Sequence, residues 1–231
     1  MTARARPGDG FPRRLNARLL ALLDQPALFN LSQLVISGGQ RATKRWVAAW
    51  LDPRPGERLL DVCCGTGEYC GVWGAADGRG ESGVGSRESE VPGYLGIDLN
   101  ARYIAYARKR YGNRSREFRA LDATRLSLPA GSFDKALFAN SLHHFPDELN
   151  RGILREIARV LRPGGRLVLV DMVGDHPGRA QRFFLDRDRG HYLRPLDRQL
   201  ALVAEHFAID RSATFDTGFT PQTIVAATPQ K

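Results

Sequence analysis

The chain has 231 residues, 42% of them hydrophobic, enough for one substantial core in a single domain. No run of about 18 apolar residues occurs, which excludes a membrane-spanning helix but permits peripheral membrane contact. The net charge of +9 raises a nucleic acid or an acidic membrane as partner, yet the 34 basic residues are dispersed among 25 acids, as on a solvated surface.

Residues 1–12 combine Pro, Gly and Arg with no apolar period and read as a flexible tail. The N-terminus is basic but no apolar segment follows it, so the expectation is a cytoplasmic protein without a secretory signal. Residues 13–55 read as helical. Leu15, Leu19, Leu22 and Leu23 recur at helical spacing, Pro26 interrupts, and Leu28, Leu31, Leu34 and Val35 resume. Gly38-Gly39 breaks the pattern before a third helix carrying Trp46, Val47 and Trp50, and Pro53 and Pro55 close the region.

From Arg58 onward strand and helix patterns alternate, which argues for βαβ units and a parallel sheet across 56–231. Strands are expected at 58–63, 94–98, 117–121, 133–138 and 166–172. The helix after the first strand is expected to start near Gly67, and Asn100 can cap the next. A helix over 147–161 places Leu149, Ile153, Leu154, Ile157, Val160 and Leu161 on one face and stops at Pro163-Gly164-Gly165. A further helix is expected at 196–206, then strands at 208–215 and 223–227. Residues 75–92, rich in Gly, Ser, Arg and Glu, read as a flexible surface insertion. Cys63, Cys64 and Cys70 match no zinc spacing and read as core thiols; no metal site is expected.

The stretch Asp61-Val62-Cys63-Cys64-Gly65-Thr66-Gly67 ends an apolar strand in an acid, followed by a glycine turn. Such a turn permits positive φ and brings chain amides to a strand tip, either for a nucleoside-type ligand or for packing. Three acids, Asp61, Asp98 and Asp122, fall at the ends of successive strands and would border one crevice of a parallel sheet. Asp98 can accept both hydroxyls of a ribose, and Asp122 can accept from an exocyclic amine. The residue three past Gly67 is Cys70, not Gly, and no Walker lysine follows. The pattern therefore suits an adenosine with a zwitterionic tail and no phosphate. His143 and His144 are adjacent at the expected mouth, where His143 could take a proton from an acceptor. His191 and Tyr192 are rival contributors.

At this point the chain resembles the class I S-adenosylmethionine-dependent methyltransferases. The likeness rests on Leu-Leu-Asp-Val-Cys-Cys-Gly-Thr-Gly, Gly-Ile-Asp-Leu-Asn, Leu-Asp-Ala-Thr-Arg-Leu-Ser-Leu-Pro-Ala-Gly-Ser-Phe-Asp and Arg-Val-Leu-Arg-Pro-Gly-Gly-Arg-Leu-Val-Leu-Val-Asp, in that order over residues 58–172. The resemblance implies a doubly wound α/β fold with a seven-stranded, mainly parallel sheet, its last two strands forming the antiparallel end. It implies S-adenosylmethionine as cofactor and S-adenosylhomocysteine as product. Asp61, Cys63, Gly65, Thr66 and Gly67 would face the methionine part and Asp98 the ribose. Leu99 would pack on the adenine, Asp122 and Ala123 would meet the adenine edge, and Asn140 would lie near the methionine end. The family usually has Gly or Ala where Cys63 stands.

Phe29-Asn30, Ser37-Gly38 and Lys44-Arg45-Trp46 are similar to the leading segment of the ubiquinone/menaquinone-biosynthesis C-methyltransferase group, in which N-terminal helices cover the substrate. Ser141-Leu142-His143-His144-Phe145 departs from that group's signature. The expected reaction is an in-line methyl transfer to the O, C or N of a small hydrophobic acceptor. Two alternatives stay open: an RNA methyltransferase, and a non-catalytic S-adenosylmethionine-binding regulatory protein. Against the first, strand four is not followed by Asn-Pro-Pro-Tyr or a relative.

Overall fold

Leu59, Leu60, Asp61 and Val62 are all buried, as a central parallel strand covered on both faces requires. They form β1 (Leu59–Val62) in a computed structural model that describes residues 41–74, 93–175, 191–217 and 220–230. The other elements in chain order are α1 (Arg41–Leu51) before β1, then α2 (Cys70–Gly74), β2 (Tyr94–Asp98), α3 (Ala101–Tyr111), β3 (Arg116–Ala120) and β4 (Phe133–Ala139). A 3₁₀ turn (Leu142–His144), α4 (Asp147–Val160), β5 (Leu161–Met172), α5 (Leu196–Ala204), β6 (Phe207–Asp216) and β7 (Pro221–Pro229) follow. The expected tail 1–12, the helices within 13–40 and the insertion 75–92 lie outside the described residues.

Among the described residues, seven strands form one sheet in the order β3-β2-β1-β4-β5-β7-β6. The first five pair in parallel; β7 pairs antiparallel with both β5 and β6, so it is the one reversed strand of this sheet. After β1 the chain builds outward through β2 and β3, then returns to lay β4 on the other side of β1. That reversal opens a crevice at the carboxyl ends of β1 and β4.

Alternation along each strand sends residues to two cores. Leu60, Val62, Leu95, Ile97, Ala136 and Phe138 pack with Ile153, Leu154, Ile157 and Val160 of α4 and Leu202 and Val203 of α5. On the other face, Leu59, Tyr94, Phe118, Leu137, Val168 and Ile224 pack with Val47, Trp50 and Leu51 of α1, Trp73 of α2 and Ile104 of α3.

Two expected boundaries shift for backbone reasons. The helix expected near Gly67 begins at Cys70, because Gly65 (φ 54°) and Gly67 (φ 83°) hold left-handed conformations that a helix cannot contain. The fifth strand begins at Leu161 rather than Arg166. Leu161 pairs with Phe133, then the register jumps so that Lys135 meets Arg166, and Arg162-Pro163-Gly164 bulges outward with Gly164 at φ 75°. Asn100 caps α3 as expected, its side chain accepting from the amides of Arg102 and Tyr103.

Gly96 on β2 has a steric reason to be glycine. A Cβ there would lie 2.7 Å from Phe118 Cδ1 and 2.9 Å from Cys64 Sγ. Gly96→Ala should therefore destabilise the fold by roughly 1–3 kcal/mol, read as a lower midpoint in urea unfolding.

Candidate functional site

The β1 turn is held to β2 by one carboxylate. Asp98, ending β2, accepts from the Gly65 amide through Oδ2 at 2.9 Å and from the Asn100 amide through Oδ1 at 2.8 Å. Burial raises its pKa, opposed by those two amides. Each oxygen still has acceptor capacity for a hydroxyl. A Cβ built on Gly65 would meet no atom within 4 Å, whereas one on Gly67 would lie 2.9 Å from the Phe118 ring. Gly65 thus borders open space at the crevice, and Gly67 is glycine for packing. Leu99, next to Asp98, is 75% exposed.

The three strand-ending acids have unlike surroundings. Asp122 is exposed and accepts from the Thr124 hydroxyl at 2.7 Å and amide at 2.8 Å, which lower its pKa. Ala123 beside it is partly buried against the α4 face. Asp61 is 1% exposed and sits within the sheet, where the Tyr94 hydroxyl donates to Oδ2 at 2.5 Å. Burial pushes its carboxyl up to about 7, opposed by the Tyr94 bond and reinforced by the charge of Asp98. Cys63 adopts φ 56°, which turns the chain out of β1, and its thiol feels the charge of all three acids. Burial, then their negative charges, push that thiol up and keep it protonated. Thr66 is buried in the same turn.

Asn140 follows β4 at φ 49° and donates through Nδ2 to the Tyr69 hydroxyl at 2.9 Å. Tyr69 lies just past the β1 turn, so β1 and β4 are joined across the crevice by two side chains.

His143 stands on the 3₁₀ turn after β4 and is only 3% exposed. Its Nδ1 bonds Asp171 Oδ1, and its amide donates to Asp171 Oδ2 at 3.0 Å. Asp171 also accepts from the Met172 amide at 2.6 Å. With Nδ1–H donating to Asp171, a neutral ring carries its lone pair on Nε2. The segment before α5 covers this turn: the Tyr192 amide donates to the His143 carbonyl at 3.0 Å. Arg194 locks it, bonding the carbonyls of Leu142, Phe145 and Tyr192 and Asp147 Oδ1. Tyr192 and Leu193 remain 42% and 36% exposed beside the turn.

Asp171, Tyr69 and Arg194 were not singled out from sequence. Asp171 did carry a signal, since its strand ends in an acid as the first one does. Tyr69 and Arg194 carried none, because each is defined by partners far along the chain.

A model of the methyltransferase domain family matches residues 60–169. That interval runs from within β1 to within β5 and includes the glycine turn and Asp98. Over these residues the chain matches a methyltransferase domain, in accord with its resemblance to the class I S-adenosylmethionine-dependent methyltransferases. An O-methyltransferase of Penicillium expansum is 36% identical over 143 residues, covering 60% of this chain, which spans only 46% of that protein's length. A 2-phytyl-1,4-naphthoquinone methyltransferase of Synechococcus elongatus is 29% identical over 83% of this chain and 78% of its own. Among solved structures, the 1,6-didemethyltoxoflavin-N1-methyltransferase of Burkholderia thailandensis superposes with a TM-score of 0.63 at 21% identity, covering 99% of this chain and 95% of its own. That likeness concerns the fold.

Within the methyltransferase domain, Asp61 should make stability depend on pH. Its folded pKa of about 7 exceeds the ordinary 3.8, so its contribution is full below the lower value and is lost as pH rises through the higher. Asp61→Asn keeps an acceptor for Tyr94 without the buried charge. In urea unfolding the variant should gain on the native chain between pH 4 and 8, by about 1–4 kcal/mol at the upper end. A pH-independent difference would contradict this.

Proposed function

We propose that this chain is a methyltransferase that uses S-adenosylmethionine to methylate a small apolar acceptor at oxygen, carbon or nitrogen. The single observation that carries the reading is the Asp98–Gly65 junction at the sheet's switch point. A carboxylate ending β2 holds the glycine turn by one amide, with open space beside Gly65 and a bare Leu99 alongside.

The residues present fit the cofactor. Asp98 would accept the two ribose hydroxyls with the capacity its amide bonds leave. Leu99, mostly in solvent as described, would gain burial by covering the adenine. Asp122 and Ala123 would meet the adenine edge. Asp61, Cys63, Gly65, Thr66, Gly67 and Asn140 would surround the methionine end. When bound, S-adenosylmethionine supplies a methyl on a sulfonium, which is already a good leaving group. The protein's own task is therefore position and desolvation rather than covalent catalysis. No side chain needs to act as a nucleophile, and the protonated thiol of Cys63 suits that role.

In this reading Tyr192 and Leu193 form an apolar wall for the acceptor, fixed by Arg194. His143, oriented by Asp171, takes the proton that the acceptor loses. The named relatives support a small, apolar acceptor: one acts on a phytyl-naphthoquinone and another is an O-methyltransferase. We place the protein in the cytoplasm.

Two measurements test this. Asp98→Ala should abolish detectable S-adenosylhomocysteine binding in calorimetry while the circular dichroism spectrum stays native; retained affinity would remove the ribose assignment. His143→Ala should slow transfer by roughly 10²–10⁴-fold with cofactor affinity intact, in a labelled-methyl assay over phenols and quinols. An unaltered rate on a turned-over acceptor would exclude His143 as the base.

A further inference from the structure

Four polar side chains from four separate parts of the fold form one hydrogen-bonded file at the crevice. The Thr43 hydroxyl on α1 donates to Gln222 Oε1 at 2.8 Å. Gln222 Nε2 on β7 donates to Asn140 Oδ1 at 3.2 Å, and Asn140 Nδ2 donates to the Tyr69 hydroxyl oxygen at 2.9 Å. An amide has one accepting end and one donating end, so the direction set at Thr43 passes through both amides. Every bond in the file points toward Tyr69.

The file is sheltered: Thr43, Gln222 and Tyr69 are all buried. In such surroundings aligned bonds reinforce one another, and a polar group left unmatched is expensive. The Tyr69 oxygen receives a hydrogen bond and keeps its own proton to give. Burial, followed by the charge of Asp61, pushes its pKa well above the ordinary phenol value, with Asp171 and Glu68 acting the same way. The group is a neutral donor, not a base.

The charges around Tyr69 say what it should meet. Asp61 and Asp171 add negative charge near Tyr69, and the Lys44 ammonium stands 5.9 Å from the centre of its ring. A carboxylate entering the same region needs a neutral donor aimed at it. The third nearby acid, Glu68, is occupied by Lys44 at 3.0 Å and by the Tyr111 hydroxyl at 3.1 Å. We propose that the Tyr69 hydroxyl donates to the carboxylate of the cofactor's methionine part, and that Asn140, Gln222 and Thr43 hold it in that direction. The inference rests on the cofactor site proposed above. It makes Tyr69 the residue that distinguishes a cofactor with an intact amino-acid end from an adenosine thioether without one. It also ties α1 to cofactor binding through Thr43.

Calorimetry with two probes tests it: S-adenosylhomocysteine, and 5′-methylthioadenosine, which keeps the adenosine and sulfur but has no amino-acid end. Tyr69→Phe should weaken S-adenosylhomocysteine roughly tenfold to hundredfold, as expected for a hydrogen bond to a charged group, and leave 5′-methylthioadenosine unchanged. Thr43→Val should reproduce part of the first effect and none of the second. Equal losses on both probes, or no loss on S-adenosylhomocysteine, would overturn the assignment. Asp98→Ala separates this from the underlying reading, because it should weaken both probes alike. If it weakens neither, the cofactor site itself is misplaced, whatever Tyr69 does.

Discussion

The Asp98 carboxylate is the point on which the site's geometry depends. One oxygen holds the Gly65 amide and the other the Asn100 amide, so the β1 turn, the tip of β2 and the start of α3 are fastened together. A partly buried carboxylate would ordinarily be costly, and its raised pKa records that. The two amides offset the penalty, each bonded to one of the two oxygens. Around it the backbone is shaped by three left-handed residues, Cys63, Gly65 and Gly67, of which only Gly65 has open space where a Cβ would stand. Cys63 adopts the same conformation with a side chain.

Two buried acids lie near the carboxyl ends of the central strands, Asp61 on the α1 face and Asp171 on the face of α4 and α5, each matched to specific donors. Asp61 is held by Tyr94, and Asp171 by His143 and two main-chain amides. Neither has a lysine or arginine as its bonded side-chain partner among the described residues. The two acids are thus held by hydroxyl, imidazole and amide groups rather than by salt bridges to lysine or arginine. The guanidinium of Arg194 is used instead on the far side of the 3₁₀ turn, where it binds three carbonyls and Asp147. It fixes the segment that presents Tyr192 and Leu193.

The strand and helix order, the Asn100 cap and the position of Asp98 were all legible in the residues, because each depends on neighbours a few positions away. Alternating burial, helical apolar spacing and a capping Asn act over one or two turns of chain. Two local readings missed because backbone conformation competed with pattern. Gly67 is not helical, and the Leu161 pairing starts β5 before the Pro-Gly-Gly bulge that marked its apparent beginning.

The sequence by itself determined an alternating α/β domain with acid-ended strands and a glycine turn. Only the tertiary structure decided which acids face that crevice and which are enclosed. It also paired His143 with Asp171 and drew Thr43 and Gln222, 179 positions apart, into one file with Asn140 and Tyr69. The physical reason is that those partnerships follow from strand order. Placing β4 beside β1, and β7 beside β5, joins residues that no local periodicity relates.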